Sequence, residues 1–230
     1  MESAATTPNP AGADALGAVQ ANIARACKIA RRKEEDVTLI AVSKTHPPET
    51  IEPLLAAGHR VFGENRVQEA QGKWPALRER YPDAQVHLIG QLQSNKAEDA
   101  VQLFDCIHSL DRVSLVKALP KAFDKVGRQV PCFLQVDIGN EPQKGGCPIP
   151  ELPALIKAAR EREIPLAGLM CLPPAEIEPA PFFALLDKLS RNNGMDGISM
   201  GMSGDYETAI MLGATHIRVG SALFGERGGA

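Results

Sequence analysis

An apolar run that ends in lysine, and two glycine–serine loops far downstream, suggest a pocket for a phosphorylated aldehyde. The lysine is Lys44, in IAVSKTHPP (40–48). A lysine amine adds to a carbonyl when a confined, partly desolvated site keeps it neutral. The loops are ISMGMSGDYETAI (198–210), with Met202, Ser203 and Gly204, and IRVGSALFGER (217–227), with Gly220 and Ser221. Glycines let the backbone approach an anion, and helix N-termini offer unpaired N–H groups to phosphate. Taken singly, the lysine reads as a solvated strand-end charge and the loops as ordinary turns. Together they specify an amine and an anion cradle.

Arg218 adds a third element. Alternation in HIRVG (216–220) places His216, Arg218 and Gly220 on one strand face. A buried arginine needs a partner. One is the ring nitrogen of a pyridine cofactor, a position where enzymes place an Asp or Arg. A salt bridge to Glu64 or Asp137 is the alternative. Glu64 and Asn65, in VFGENR (61–66), either stand beside Lys44 or serve a turn. His87 and His108 read as core or hydrogen-bonded histidines before catalytic ones.

These residues need a scaffold that brings distant segments together, and the chain's rhythm provides one. Short apolar runs at 37–44, 59–63, 85–90, 105–110, 131–139, 165–172, 197–201 and 216–220 read as eight strands. Helical patterns separate them, at 49–58, up to about 80, 95–103, 112–126, 151–162, 180–192 and 205–212. A further helix, 15–33 with Asp14 as its N-cap, precedes the first strand. Strands alternating with helices imply parallel pairing through right-handed crossovers. Eight of them close a (β/α)8 TIM-type barrel, and an open doubly wound sheet would show a glycine-rich turn where SKTHPP stands. Closure makes strand one the neighbour of strand eight, so Lys44 meets the two downstream loops. Those loops follow strands seven and eight, the recurrent phosphate site of this fold.

The 230 residues carry 25 basic and 28 acidic side chains, for a net charge of −3, without a basic stripe. Aromatics are only 4% of the chain, so neither a nucleic-acid surface nor a base-stacking platform is indicated. Five scattered cysteines without a C-x-x-C pair read as buried free thiols in a reducing compartment, and no clustered metal ligands are visible. No apolar run reaches the roughly 20 residues that span a bilayer. Residues 1–13 read as a disordered leader and 14–230 as one barrel domain, in a cytoplasmic protein.

Seven stretches in order, AVSKTHP, FGENRVQE, HLIGQLQSNK, IHSLD, GLMCLPP, SMGMSGDYETAI and IRVGSALFGER, resemble the pyridoxal phosphate homeostasis proteins. The barrel of that family looks like the N-terminal domain of alanine racemase. The resemblance implies that Lys44 forms the aldimine with pyridoxal 5′-phosphate (PLP). It implies that Ser203, Gly204, Gly220 and Ser221 hold the phosphate with Met202 nearby, that Arg218 faces the pyridine nitrogen, and that Asn65 lies beside the cofactor. It further implies a non-catalytic carrier that yields PLP to apo-enzymes, expected as a monomer without metal. A PLP-dependent racemase is the alternative, and a cofactor-free class I aldolase a more distant one. Racemisation by two bases needs a second acid/base. In alanine racemase a second β domain and a partner subunit complete the site, whereas this chain ends about ten residues after Gly220. Neither Tyr81 nor Tyr206 is expected at a strand end.

Overall fold

Alternation along each strand decides the architecture. In β1 (Thr38–Val42), Leu39 and Ala41 face an outer apolar layer, while Ile40 and Val42 face the opposite side. The other strands are β2 (Val61–Glu64), β3 (Gln85–Leu88), β4 (Cys106–Leu110), β5 (Cys132–Asp137), β6 (Leu166–Cys171), β7 (Gly197–Ser199) and β8 (His216–Val219). The computed structural model describes residues 10–225, and in it these eight strands pair in parallel, each with the next. β8 returns to β1 with Thr38 opposite His216 and Ile40 opposite Arg218, which closes the barrel. A two-residue strand, Cys147–Pro148, adds to β5 outside this ring. The expected TIM-type barrel is therefore the fold.

The space between strands and helices holds most of the apolar core, including Phe62, Trp74, Leu77, Phe104 and Phe183. The barrel interior is smaller and more polar. Cys106, Phe133 and Met170 form a separate apolar cluster there, beside buried His108, Ser199 and Arg218.

Two elements depart from expectation in ways that matter. The first helix, α1 (Pro10–Ala30), begins before Asp14, which therefore lies inside it and does not cap it. Proline suits a first helical turn, and the alanine-rich residues after it favour helix. Of the expected leader, residues 1–9 lie outside the described residues. Leu16, Val19, Ile23, Ala26 and Cys27 form the buried stripe of α1. That stripe packs between α2 (Pro48–Ala56) on one side and α9 (Tyr206–Met211) and α10 (Ser221–Phe224) on the other. Because α10 is a single turn, α1 takes the place of the eighth outer helix.

The single helix expected up to residue 80 is two, α3 (Val67–Gln71) and α4 (Trp74–Arg80), parted at Gly72 and Lys73. Pro75 is responsible. In a continuous helix its ring would clash with the carbonyl four residues back, and it has no N–H to donate. The remaining helices, α5 (Ala97–Leu103), α6 (Val113–Val126), α7 (Leu152–Arg160) and α8 (Ala180–Asn192), lie where the sequence indicated.

Candidate functional site

At the carboxyl ends of the strands lies a cavity of about 680 Å³, within the range of small-molecule sites. Lys44, Asn65, Met202, Ser203, Gly204, Arg218, Gly220 and Ser221 all line it. The eight residues singled out in the sequence thus come from four strand ends to one place. Among the described residues no Asp or Glu lines it, and Lys44 and Arg218 bring two basic side chains to it.

Lys44 follows β1 in a tight turn, in which His46 N donates to Ser43 O at 3.2 Å. Ser43 turns outward, its hydroxyl donating to Glu64 Oε1 at 2.6 Å. Alternation then carries Lys44 inward. Thr45 has a φ of 65°, a left-handed conformation uncommon for a β-branched residue. His46 lines the cavity and stacks on Phe224 of α10, with ring centroids 4.6 Å apart. Ile89 and Leu172 supply apolar walls.

Across the cavity, Ser203 ties the two glycine loops together. Its Oγ accepts Gly220 N at 3.1 Å and Ala222 N at 3.5 Å, which leaves its own proton for an acceptor in the cavity. A Cβ built on Gly204 would meet no atom within 4 Å, so no contact in the protein requires glycine there. The open space before its backbone suits the close approach of an anion. Gly90 has a different role. A Cβ there would lie 2.3 Å from Asn65 O, so glycine lets the loop after β3 pack directly against Asn65.

Arg218 forms neither of the salt bridges considered for it. Nη1 donates to Ser199 Oγ at 2.6 Å and Nη2 to Cys171 O at 2.8 Å, and the side chain is buried. Burial lowers its pKa from the usual arginine value. Ser199 Oγ also lies 2.9 Å from His108 Nδ1, and His108 Nε2 lies 3.1 Å from His87 Nδ1. Between the facing ring nitrogens of His108 and His87 one proton makes the hydrogen bond, with one ring as donor and the other as acceptor. Both imidazoles are neutral. Burial pushes His87 down to about 3 and His108 well below the normal histidine range, and it takes His216 to about 4. A buried guanidinium thus rests on a neutral network.

That network also explains a cluster the sequence did not reveal. His87, Cys106 and His108 place ligand-type atoms within 4.8 Å of one another. The facing ring nitrogens hydrogen-bond each other, His108 stacks on Phe133 at 4.4 Å, and burial pushes the Cys106 thiol well up. The cluster is satisfied as a hydrogen-bonded core. Neither histidine lines the cavity.

Glu64 does not stand beside Lys44. Its carboxylate faces outward and pairs with Lys73 at 2.8 Å, and Trp74 Nε1 donates to it at 3.0 Å. Burial still raises its pKa. Asp137 accepts Glu141 N at 2.8 Å and so caps the loop after β5. Tyr206 accepts Asn22 Nδ2 at 2.9 Å on the α1 side, and Tyr81 lies under Arg60 and Arg80. Neither tyrosine lines the cavity. The sequence reading missed His46, Ile89 and Leu172. His46 was detectable as the neighbour of Lys44 in SKTHPP, but the two apolar residues carry no local signal.

Comparison with known proteins places these features in context. Residues 15–228 match the family model described as alanine racemase, N-terminal domain. The chain is 38% identical over 221 residues to the pyridoxal phosphate homeostasis protein of Pseudomonas aeruginosa, covering 94% of this chain and 95% of the relative. Among solved structures, PipY of Synechococcus elongatus with PLP bound is 37% identical, with a TM-score of 0.79, over 93% of this chain and all of that one. Alanine racemase of E. faecalis shares the fold at 19% identity and a TM-score of 0.67, over 90% of this chain and 57% of the racemase.

Proposed function

The chain belongs to the pyridoxal phosphate homeostasis protein family, and on that premise we propose that it holds PLP reversibly at Lys44 as an intracellular carrier and buffer of the cofactor. The observation that carries this reading is the cavity itself, with one lysine at a strand end, one buried arginine, a serine–glycine cradle and no carboxylate among its described lining residues. Those residues fit PLP, which presents an aldehyde, a phosphate and a pyridine ring. PLP supplies the electrophile: the lysine nitrogen adds to the aldehyde carbon, the oxygen leaves as water, and hydrolysis restores both partners.

In this reading Lys44 provides the amine. Ser203, Gly204, Gly220 and Ser221 receive the phosphate, Met202 and Asn65 border the cofactor, and Arg218 faces the ring nitrogen. An arginine has donors only and keeps its proton, so it would leave that nitrogen unprotonated and the ring a weak electron sink. That favours holding the cofactor over carbanion chemistry. Besides Lys44 and Arg218, the one titratable group among the described lining residues is His46, on the same turn as Lys44. An opposing second base, which racemisation needs, has no candidate among these residues, and the cofactor-free aldolase reading is set aside by the PLP-binding relatives.

The five described cysteines are free and buried, which suits a reducing cytoplasm, and no helix among the described residues is long and apolar enough to cross a membrane. We propose that the barrel acts as a monomer that yields PLP to apo-forms of PLP enzymes. The test is transfer. Protein loaded with PLP and freed of excess is mixed with an apo-enzyme, whose recovered activity is followed while racemisation of common amino acids is assayed without it. Recovery without racemisation is expected. Steady turnover by this chain alone, or no bound cofactor after loading, would overturn the proposal.

A further inference from the structure

The break between α3 and α4 turns Lys73 inward, and the lysine then grips the turn that carries Lys44. Only 6% of its side chain is exposed. Its Nζ lies 2.9 Å from Ser43 O and 3.1 Å from His46 O, the carbonyls on either side of Lys44 and Thr45. The same ammonium pairs with Glu64 at 2.8 Å and Glu69 at 3.0 Å. Glu69 Oε1 accepts Thr45 N at 2.5 Å, and Glu64 Oε1 accepts the Ser43 hydroxyl. Three backbone groups and one side chain of a four-residue turn are therefore held by one lysine and two glutamates. None of the three lines the cavity.

Such a set of contacts exceeds what joining two helix segments requires. An i,i+4 Glu–Lys pair on an unbroken helix sits at the surface and contributes little. Here both charges are drawn onto backbone groups that flank the reactive amine. Thr45 stands in a left-handed conformation that persists in a β-branched residue only when surrounding contacts over-determine it. The contacts from Lys73 and Glu69 supply that constraint. With the carbonyls of Ser43 and His46 held from outside by Lys73, Lys44 is aimed into the cavity.

We propose that Lys73 and Glu69 are positioning residues. They clamp the 43–46 turn so that the Lys44 amine keeps its direction, and they thereby set how fast the aldehyde is taken up and released. The inference rests on the PLP-binding reading above. Because the clamp acts on the amine and not on the phosphate cradle, it should affect covalent capture and leave non-covalent recognition intact.

The test compares wild type with Lys73→Met, which retains the length and apolar stem, and with Glu69→Ala, whose partly exposed carboxylate can be removed should the first variant fail to fold. Three quantities are measured: amide exchange at Thr45 and His46 in cofactor-free protein, the rates of imine formation and release with PLP, and the affinity for pyridoxine 5′-phosphate, which has an alcohol in place of the aldehyde. The clamp predicts faster exchange at both amides and imine formation slower by about tenfold, the factor carried by one lost charged hydrogen bond. Affinity for the alcohol should stay within about twofold, well below a tenfold change. Folded variants with wild-type imine rates would overturn the proposal, as would equal losses for aldehyde and alcohol. Failure of wild type itself to form an imine at Lys44 would instead overturn the PLP-binding reading.

Discussion

Lys44 and Arg218 both line the cavity, and different surroundings hold them. Lys44 stands on a turn pinned from outside the barrel. Arg218 is held from within, by Ser199 and the Cys171 carbonyl, and through Ser199 by neutral His108 and His87. Keeping these histidines neutral has a consequence for stability. The unfolded chain binds protons on them near pH 6.5, whereas folded His87 and His216 resist down to about 3 and 4. In that window the unfolded state holds more protons, so stability falls as pH drops from about 6.5 towards 4 and is level above it. Glu64 works in the opposite sense, because burial raises its pKa. The informative quantity is therefore the difference between wild type and His87→Gln. Denaturation midpoints measured across this range should fall less steeply for the variant, and identical slopes would show that His87 already protonates in the fold.

At the scale of elements, each strand delivers its last residue to the rim, and glycine decides how closely the loops approach one another. Gly90 allows the loop after β3 to press on Asn65 O, where a Cβ would lie at 2.3 Å. Gly90→Ala should destabilise the protein by about 1–3 kcal/mol through overpacking, read by thermal unfolding, and weaken PLP binding because Asn65 must shift. Unchanged stability and affinity would mean that the loop relaxes freely. Much of this level was legible in the sequence. Strand runs and punctuating glycines and prolines are local signals, so Lys44, Ser203 and Gly220 could be placed on the rim by counting strands. The split of α3 from α4 was signalled by Gly72 and Pro75, but its use was not. Nothing local ties Lys73 to the carbonyl of Ser43, thirty residues earlier. The interior chain was hidden for a related reason. Alternation shows which residues point inward, yet pairing His108 on β4 with Ser199 on β7 depends on how the closed barrel brings facing strands into register.

At the scale of the whole molecule, one closed barrel does two things at once. It brings residues 44 and 218 together through the β1–β8 seam, and it fills its own interior, so the rim is the place left for a ligand. α1 covers that seam from outside as the eighth helix, which joins the start of the described chain to the strands that carry the site. The rim cavity, with one lysine among its described lining residues, predicts one covalent adduct per chain, even though other lysines are far more exposed. The decisive measurement is borohydride reduction of the PLP-loaded protein, followed by intact mass and peptide mapping. The account predicts a single pyridoxyl group per chain, located on Lys44. A single adduct on another lysine, or several spread over the surface with Lys44 unmodified, would contradict it.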